Sequence, residues 1–492
     1  MKKLIIIFIL ITMFLVNIKS TECQNEYQIF YNYMEVEFPD VSPTVESGRT
    51  LVPFRTLAQA LGVEVEYISN KEEIIGSKDS FEIKMKISDR KYYINDKEFV
   101  MLVAPKIING RTVIPLRDFS EAFELGVDFN NGVINITKDY QMNIDMKIES
   151  FYALGDQQSS SWNELFGENY PEISTDAHLK LYDSIYLGWY EIYEGKLTSS
   201  NTSHKFNRPN GYENVIEGIN QFNKSAYMMV FAQEDGNLIK SLESEYNKNN
   251  IIDDILYELR TNDYKGVNLD IEGLGSLKKS DEIEKVKKVY TSFVSDLKDQ
   301  IGSRYELVLT LPPSNSVYQG YDYKSLGALA DKVIIMSYDY HDRDTPNATA
   351  PVEKVREGLE EILEEVKSEK VLLGITLSAL RYQKSGIADE KNDLHSLLED
   401  NQEGWKLSSP YLQSVYNLID EKSLTKKWHP EYASSYIYFN EDDTENIIFL
   451  ESKEGFFRKL ELVKEFNLKG VALWRLGIIP EFVYESINNL SK

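Results

Sequence analysis

Residues 264–273 read YKGVNLDIEG. Val267, Leu269 and Ile271 alternate with Asn268, Asp270 and Glu272, and a strand has a side-chain period of two. Three apolar side chains therefore share one face, while an amide and two carboxylates share the other. The apolar face suits packing against helices. A face of two acids and an amide needs either water or chemistry.

Outward from this stretch, the chain beyond Met146 repeats one pattern. Apolar runs recur at 147–154, 183–190, 225–232, 266–272, 306–312, 332–340, 370–377 and 470–477, with amphipathic stretches such as 250–263, 281–300, 352–369 and 453–467 between them. Strands alternating with helices predict parallel βα units. Eight such units over residues 147–492 predict an α/β fold, a (β/α)8 TIM barrel. Residues 378–450 are too many for a simple connection. With Trp405, Trp428, Tyr436 and Tyr438, they read as a small subdomain inserted after strand 7 and walling the cleft. The C-terminal strand ends build the active site of such a barrel, so Glu272 should stand nearest the mouth, above Asp270 and Asn268. Two carboxylates crowded in a confined site push their pKa values apart, which keeps one protonated as a general acid near neutral pH.

The earlier part of the chain follows another rule. GRTLVPFRTLAQAL begins at Gly48 and GRTVIPLRDFSEAF at Gly110. Each copy reads as a turn, a short apolar strand interrupted by Pro, and an amphipathic helix, followed by a strand at 63–67 or at 133–137. Residues 81–103 alternate as hairpins do. Residues 24–138 are expected to form a small α+β domain with an internal repeat. The G-R-T-x-x-P-x-R motif, present twice, resembles the N-terminal domain of copper amine oxidases, also called a stalk domain. That resemblance implies a spacer or wall-attachment element. Residues 24–145 hold neither His nor Cys, so copper is not expected. Arg55 and Arg117 are read either as braces of the fold or as ligand contacts.

The first 23 residues, MKKLIIIFILITMFLVNIKSTEC, carry two lysines and then an apolar run from Leu4 to Val16. The run is short for a spanning helix, and the pattern is that of a secretory signal peptide. Cys23 is the single cysteine, so no intrachain disulfide exists. An exported chain without one must rest on its core, for which 492 residues at 42% hydrophobic content are ample. The net charge of −25 disfavours nucleic acid and anionic membranes. A monomer with no membrane contact beyond export is expected.

GVNLDIEG resembles the D-G-hydrophobic-D/N-hydrophobic-D-any-E signature of family 18 glycoside hydrolases. Met336–Asp339, MSYD, resembles the family's M-x-Y-D on the sixth strand, and Trp474 in GVALWRLG resembles its eighth-strand Trp. The motifs occur in the family's order over about 147–485. The resemblance implies catalytic roles for Glu272 as acid/base, for Asp270 in orienting the substrate acetamido group, and for Tyr338 in bonding the acetamido carbonyl. It implies substrate binding by Asn268, Asp339, Tyr340, Trp474 and Trp189. From the residues alone, Trp189, Tyr190 and Tyr340 suit either sugar stacking or the core. The family retains configuration by substrate assistance rather than with a second carboxylate nucleophile. No cofactor or metal is expected, because the His residues show no ligand spacing.

Two positions depart from the family. Lys265 stands where the family often has Asp, and Asn268 where chitinases commonly have Asp. Asn268, with the W-x-P…Y-x-Y segment at Trp428–Tyr438, favours a secreted glycosidase cutting β-1,4 bonds at N-acetylglucosamine in peptidoglycan, as in spore-forming bacteria. Other readings remain. One is a chitinase or endo-N-acetylglucosaminidase on another amino-sugar polysaccharide. Another is a non-catalytic carbohydrate-binding barrel. In a third, the two acids are buried charges paired with a cation such as Arg475.

Overall fold

The computed structural model describes residues 27–490 apart from 32–33, 79, 131, 139–145, 154–163, 168–176, 201–203, 277–278, 342–344, 386–403, 430–431 and 478. The expected signal peptide lies outside the described residues. The chain divides into two units, Met1–Asp139 and Tyr140–Lys492.

In the first unit, each repeat opens on a two-residue turn with both φ positive, Ser47-Gly48 and Asn109-Gly110. Such turns match the twist of the strands they join. They lead into the strands Arg49–Pro53 and Arg111–Pro115, and then into the short helices Phe54–Ala60 and Leu116–Glu121. The two strands pair antiparallel with Val52 opposite Ile114. Equivalent residues thus meet, and the halves are related by an approximate two-fold axis. Val52, Phe54, Leu57, Ile114, Leu116 and Phe119 fill the core between them. The second copy is followed by two strands, Leu125–Asn130 and Val133–Lys138, paired antiparallel. Leu125, Val127 and Phe129 alternate with Gly126, Asp128 and Asn130 along the first of these, the period of a strand.

The second unit is a closed barrel of eight parallel strands. They are β1 (Lys147–Ala153), β2 (Ser184–Tyr193), β3 (Ser225–Gln233), β4 (Gly266–Glu272), β5 (Glu306–Leu311), β6 (Lys332–Met336), β7 (Val371–Thr376) and β8 (Gly470–Trp474). Each pairs with the next in register, and β8 pairs back onto β1. Val267, Leu269 and Ile271 face the surrounding helices, buried with Tyr290, Phe293 and Leu297 of the helix Ser280–Ile301. The lumen holds a separate apolar layer that includes Phe151, Tyr186, Tyr227, Phe231 and Leu372. Between β7 and β8 the chain leaves the barrel. It forms a five-stranded antiparallel sheet from residues 380–450, with the helix Leu412–Lys422 packed on it. This is the inserted subdomain that the length of 378–450 implied.

One ion pair spans the lumen. Lys332 Nζ lies 2.9 and 3.0 Å from the two oxygens of Glu149, and both side chains are buried. Glu149 also accepts from Tyr186 Oη and from Ser184 Oγ at 3.3 Å. The Lys332 ammonium sits 4.2 Å from the centre of the Tyr227 ring. A buried pair with its remaining valences filled holds its geometry, because either charge alone would be costly to bury.

Candidate active site

Strand β4 ends at Glu272, and the chain turns sharply at Gly273, whose φ is +77°. A Cβ there would lie 2.4 Å from Gln233 Nε2, so both the turn and the space exclude a side chain. Glu272 is consequently delivered to the mouth beside Gln233. A cleft of about 580 Å3 opens above it, lined among others by Tyr321, Tyr338, Asp339 and His341.

Asp270 lies one strand period deeper and is buried, with no hydrogen-bond partner for Oδ1 among the described residues. Burial drives its pKa well above the usual carboxylate range, and the Glu272 charge pushes the same way. Burial also raises Glu272; Asp339 adds to the rise and His204 opposes it. Both carboxyls therefore hold protons more tightly than free acids, Asp270 more so because it is deeper and unpartnered. Tyr338 follows β6 at the mouth. Burial raises its hydroxyl well above 10, and Asp270, Asp339 and Glu272 add to this. It is thus a neutral donor amid the acids.

The remaining expected residues separate. Asp339 lines the cleft in a left-handed backbone conformation, with φ +64°. Its carboxylate accepts from Thr349 Oγ1 at 3.3 Å. Tyr340 lines the cleft with its ring while its hydroxyl is turned toward Gly358, where a Cβ would lie 2.6 Å away. Trp474, at the end of β8, is half-buried and packs edge-on against Phe151 at 5.3 Å on the lumen layer.

Two expectations need correction. Asn268 is fully buried and its amide donates to Thr310 Oγ1 at 2.9 Å. It supports the floor beneath Asp270 and presents no exposed surface to the cleft. Trp189 is fully buried outside the lumen, edge-on to Tyr152 at 5.6 Å and to Tyr212 at 6.0 Å. It is core. A register shift between Gly188 and Tyr190 on β2 turns Tyr190 outward as well, where it bonds Tyr264 and Glu258. Arg475 does not pair with the two acids. Its guanidinium donates to the Leu476 carbonyl at 3.3 Å and lies over the Tyr411 ring. Lys265 is half-exposed and 3.4 Å from Glu306, before β4 begins.

His204 was not singled out in the sequence. Its Nδ1 lies 2.8 Å from Glu191, a buried carboxylate on β2, and its ring is edge-on to Phe231. Phe231 is the register partner of Asp270. A cavity of about 140 Å3, lined by Glu191, His204 and Asp235, shares Gln233 with the main cleft. No local pattern pairs residue 204 with 272; only the side-by-side pairing of β2, β3 and β4 does.

Residues 155–478 match glycosyl hydrolases family 18. The chain belongs to that family. Residues 30–137 match the copper amine oxidase N-terminal domain. A putative sporulation-specific glycosylase YdhD of Bacillus subtilis is 22% identical over 242 residues, 47% of this chain and 51% of that protein. The cortical fragment-lytic enzyme of Bacillus subtilis is 22% identical over 261 residues, 50% of this chain and 54% of that protein. The chain thus spans about half the length of the curated relatives it matches. The spore cortex-lytic enzyme SleL of Bacillus cereus shares the fold, with a TM-score of 0.55 at 17% identity over 70% of this chain and 75% of that one.

Proposed function

We propose that this family 18 chain is an exported glycosidase that hydrolyses β-1,4 bonds at N-acetylglucosamine in peptidoglycan, retaining configuration by substrate assistance. The observation that carries the reading is the stack of Glu272 over a buried Asp270 whose Oδ1 has no hydrogen-bond partner among the described residues, with the Tyr338 hydroxyl beside them. In the first step, the C2 acetamido oxygen bonds to C1. The C1–O bond breaks toward the leaving oxygen, which takes the proton of Glu272. The substrate's own nucleophile has a high effective concentration. Tyr338 holds the acetamido oxygen, and Asp270 Oδ1 accepts the acetamido N–H and offsets the positive charge of the oxazolinium. Water then attacks C1, gives its proton to Glu272, and restores the N-acetyl group. Trp474, Asp339 and the Tyr340 ring bind the sugar at the mouth. The name of a curated relative, a cortical fragment-lytic enzyme, supports peptidoglycan over chitin, and residues 1–23 support export.

The test is digestion of purified peptidoglycan and of chitin oligomers, with mass spectrometry of the new reducing ends and NMR of the anomer formed. Muropeptides ending in N-acetylglucosamine, released as the β anomer and blocked by a thiazoline mimic of the intermediate, are expected. Cleavage of chitin alone overturns the substrate. An inverted product, or a glycosyl ester on Asp270 or Asp339, overturns the mechanism.

A further inference from the structure

The repeat in the first unit makes a prediction of its own. Related halves should treat equivalent residues alike, and two arginines break that rule. Arg111, in the second copy, is paired with Asp40 at 2.9 Å. Its counterpart Arg49 has no ion pair among the described residues; its guanidinium donates only to the Gly48 carbonyl at 3.3 Å. Arg49 instead lines a cavity of about 310 Å3, together with Arg117 from the other copy. Among the described residues Arg117 is held only by Glu121, one helical turn on, at 3.1 Å with both groups well exposed. Such a pair is weak and yields readily to a better partner.

The other walls of the cavity are apolar and aromatic. Phe129 is 60% exposed although it lies in a strand, and its ring stands 6.2 Å from that of Tyr27. Val45, opposite, is 46% exposed. Asp118, adjoining Arg117 in the chain, keeps Oδ2 buried with no hydrogen-bond partner among the described residues. The cavity thus offers two guanidiniums and two aromatic rings tilted to each other. The size suits one ring with a substituent. Glu121 and Asp118 stand beside the arginines and cancel much of their charge, so a single carboxylate fits better than a polyanion. Paired guanidiniums recognise a carboxylate through parallel N–H···O bonds. An aromatic ring takes the apolar face of a sugar ring.

We propose that this cavity binds a carboxylate-bearing sugar, with Arg49 and Arg117 on the carboxylate and Tyr27 and Phe129 against the ring. The site is made wholly by the first unit and holds whatever the barrel cleaves. It would make that unit a wall-polymer binder reading acidic sugars, while the barrel reads acetamido groups.

The experiment is hydrogen exchange read by mass spectrometry on the full chain, titrated with N-acetylmuramic acid, with N-acetylglucosamine and with inorganic phosphate. The first two differ by the carboxylate-bearing substituent, and neither has a glycosidic bond to cut. N-acetylmuramic acid should slow exchange saturably in residues 44–50 and 125–130, and N-acetylglucosamine should need about tenfold more, the equivalent of losing one charge-assisted contact. Arg49→Ala with Arg117→Ala should abolish that protection and leave exchange elsewhere unchanged. Should that variant lose its fold, Arg49→Lys with Arg117→Lys keeps the charge, removes the planar fork, and should still weaken binding about tenfold. The proposal is overturned by absence of protection in these segments, by equal protection from N-acetylglucosamine or phosphate, or by protection that survives the folded variants.

Discussion

Glu149 and Asp270 are both carboxylates buried in the lumen of one barrel, and they live under opposite terms. Glu149 has a lysine against both oxygens and two hydroxyl donors. Asp270 has an oxygen without a donor and a second carboxylate above it. The first arrangement is what burial of a charge demands. The second is tolerable only if the group stays protonated, or if something that enters the barrel supplies the missing donor. The contrast separates structure from chemistry within a single cavity.

The largest effect should come at the mouth. Glu272→Gln is nearly isosteric but cannot release a proton, so turnover should fall by about 10²–10⁴ or more, with sugar binding and the thermal midpoint kept. Retained activity would remove Glu272 from the reaction. Deep in the lumen, Lys332→Met should strand Glu149 and destabilise the barrel by about 3–5 kcal/mol, measured by urea unfolding. A small loss would mean that the pair is not the clamp its geometry indicates.

Asp270→Asn should go the other way and stabilise the fold while stopping catalysis. The folded pKa of Asp270 is raised, so the folded state binds more protons than the unfolded chain between the ordinary carboxylate pKa and the raised one. Stability linked to this group is present at low pH and is lost as pH rises through that window. The gain from Asn should therefore appear at neutral and alkaline pH and vanish below about pH 4, the free-carboxylate range, in melts across pH. A gain independent of pH would sever it from the buried charge.

The smallest effects concern the groups that face Glu272: Asp270 on its own strand, Tyr321 and Tyr338 beside it, Asp339 after β6, and His204 after β2. The alkaline limb of kcat/KM reports the proton that Glu272 must carry. Asp339→Asn removes a negative neighbour, which lowers the Glu272 pKa and moves the limb to lower pH. His204→Asn removes a positive influence and should move the limb to higher pH. Shifts of the same sign would show that these residues act on Glu272 through structure rather than charge.

The eight strands were legible because each is an apolar run bounded by turns, and the alternation in GVNLDIE gave the two faces of β4 directly. The same alternation could not decide the phase of β2. SIYLGWY is apolar at nearly every position, so nothing local says that Tyr186 faces the lumen and Trp189 the helices, and the register shift after Gly188 follows no residue pattern. Asn268 shares the face of Asp270, yet its bond to Thr310, on the neighbouring strand, is set by the pairing of β4 with β5. His204 joins the site likewise, through the pairing of β2, β3 and β4. In the first unit the repeat announced a turn at the start of each copy, which the structure builds from Ser47-Gly48 and Asn109-Gly110. The cavity between Arg49 and Arg117 depends on the two-fold pairing, which the repeat alone does not reveal.

The pairing of β8 with β1 also carries a consequence in time. The barrel closes only through Lys147–Ser150 bonded alongside Gly470–Leu473, so a ribosome must complete some 320 residues after the first strand before the ring can form. Such long-range closure is slow, and until then the partly made chain leaves a sheet edge open on either side. Because Trp474 lies on that last strand, the fourth strand's acids can be in place long before the mouth is whole. A growing chain therefore has no finished cleft until its eighth barrel strand has been made.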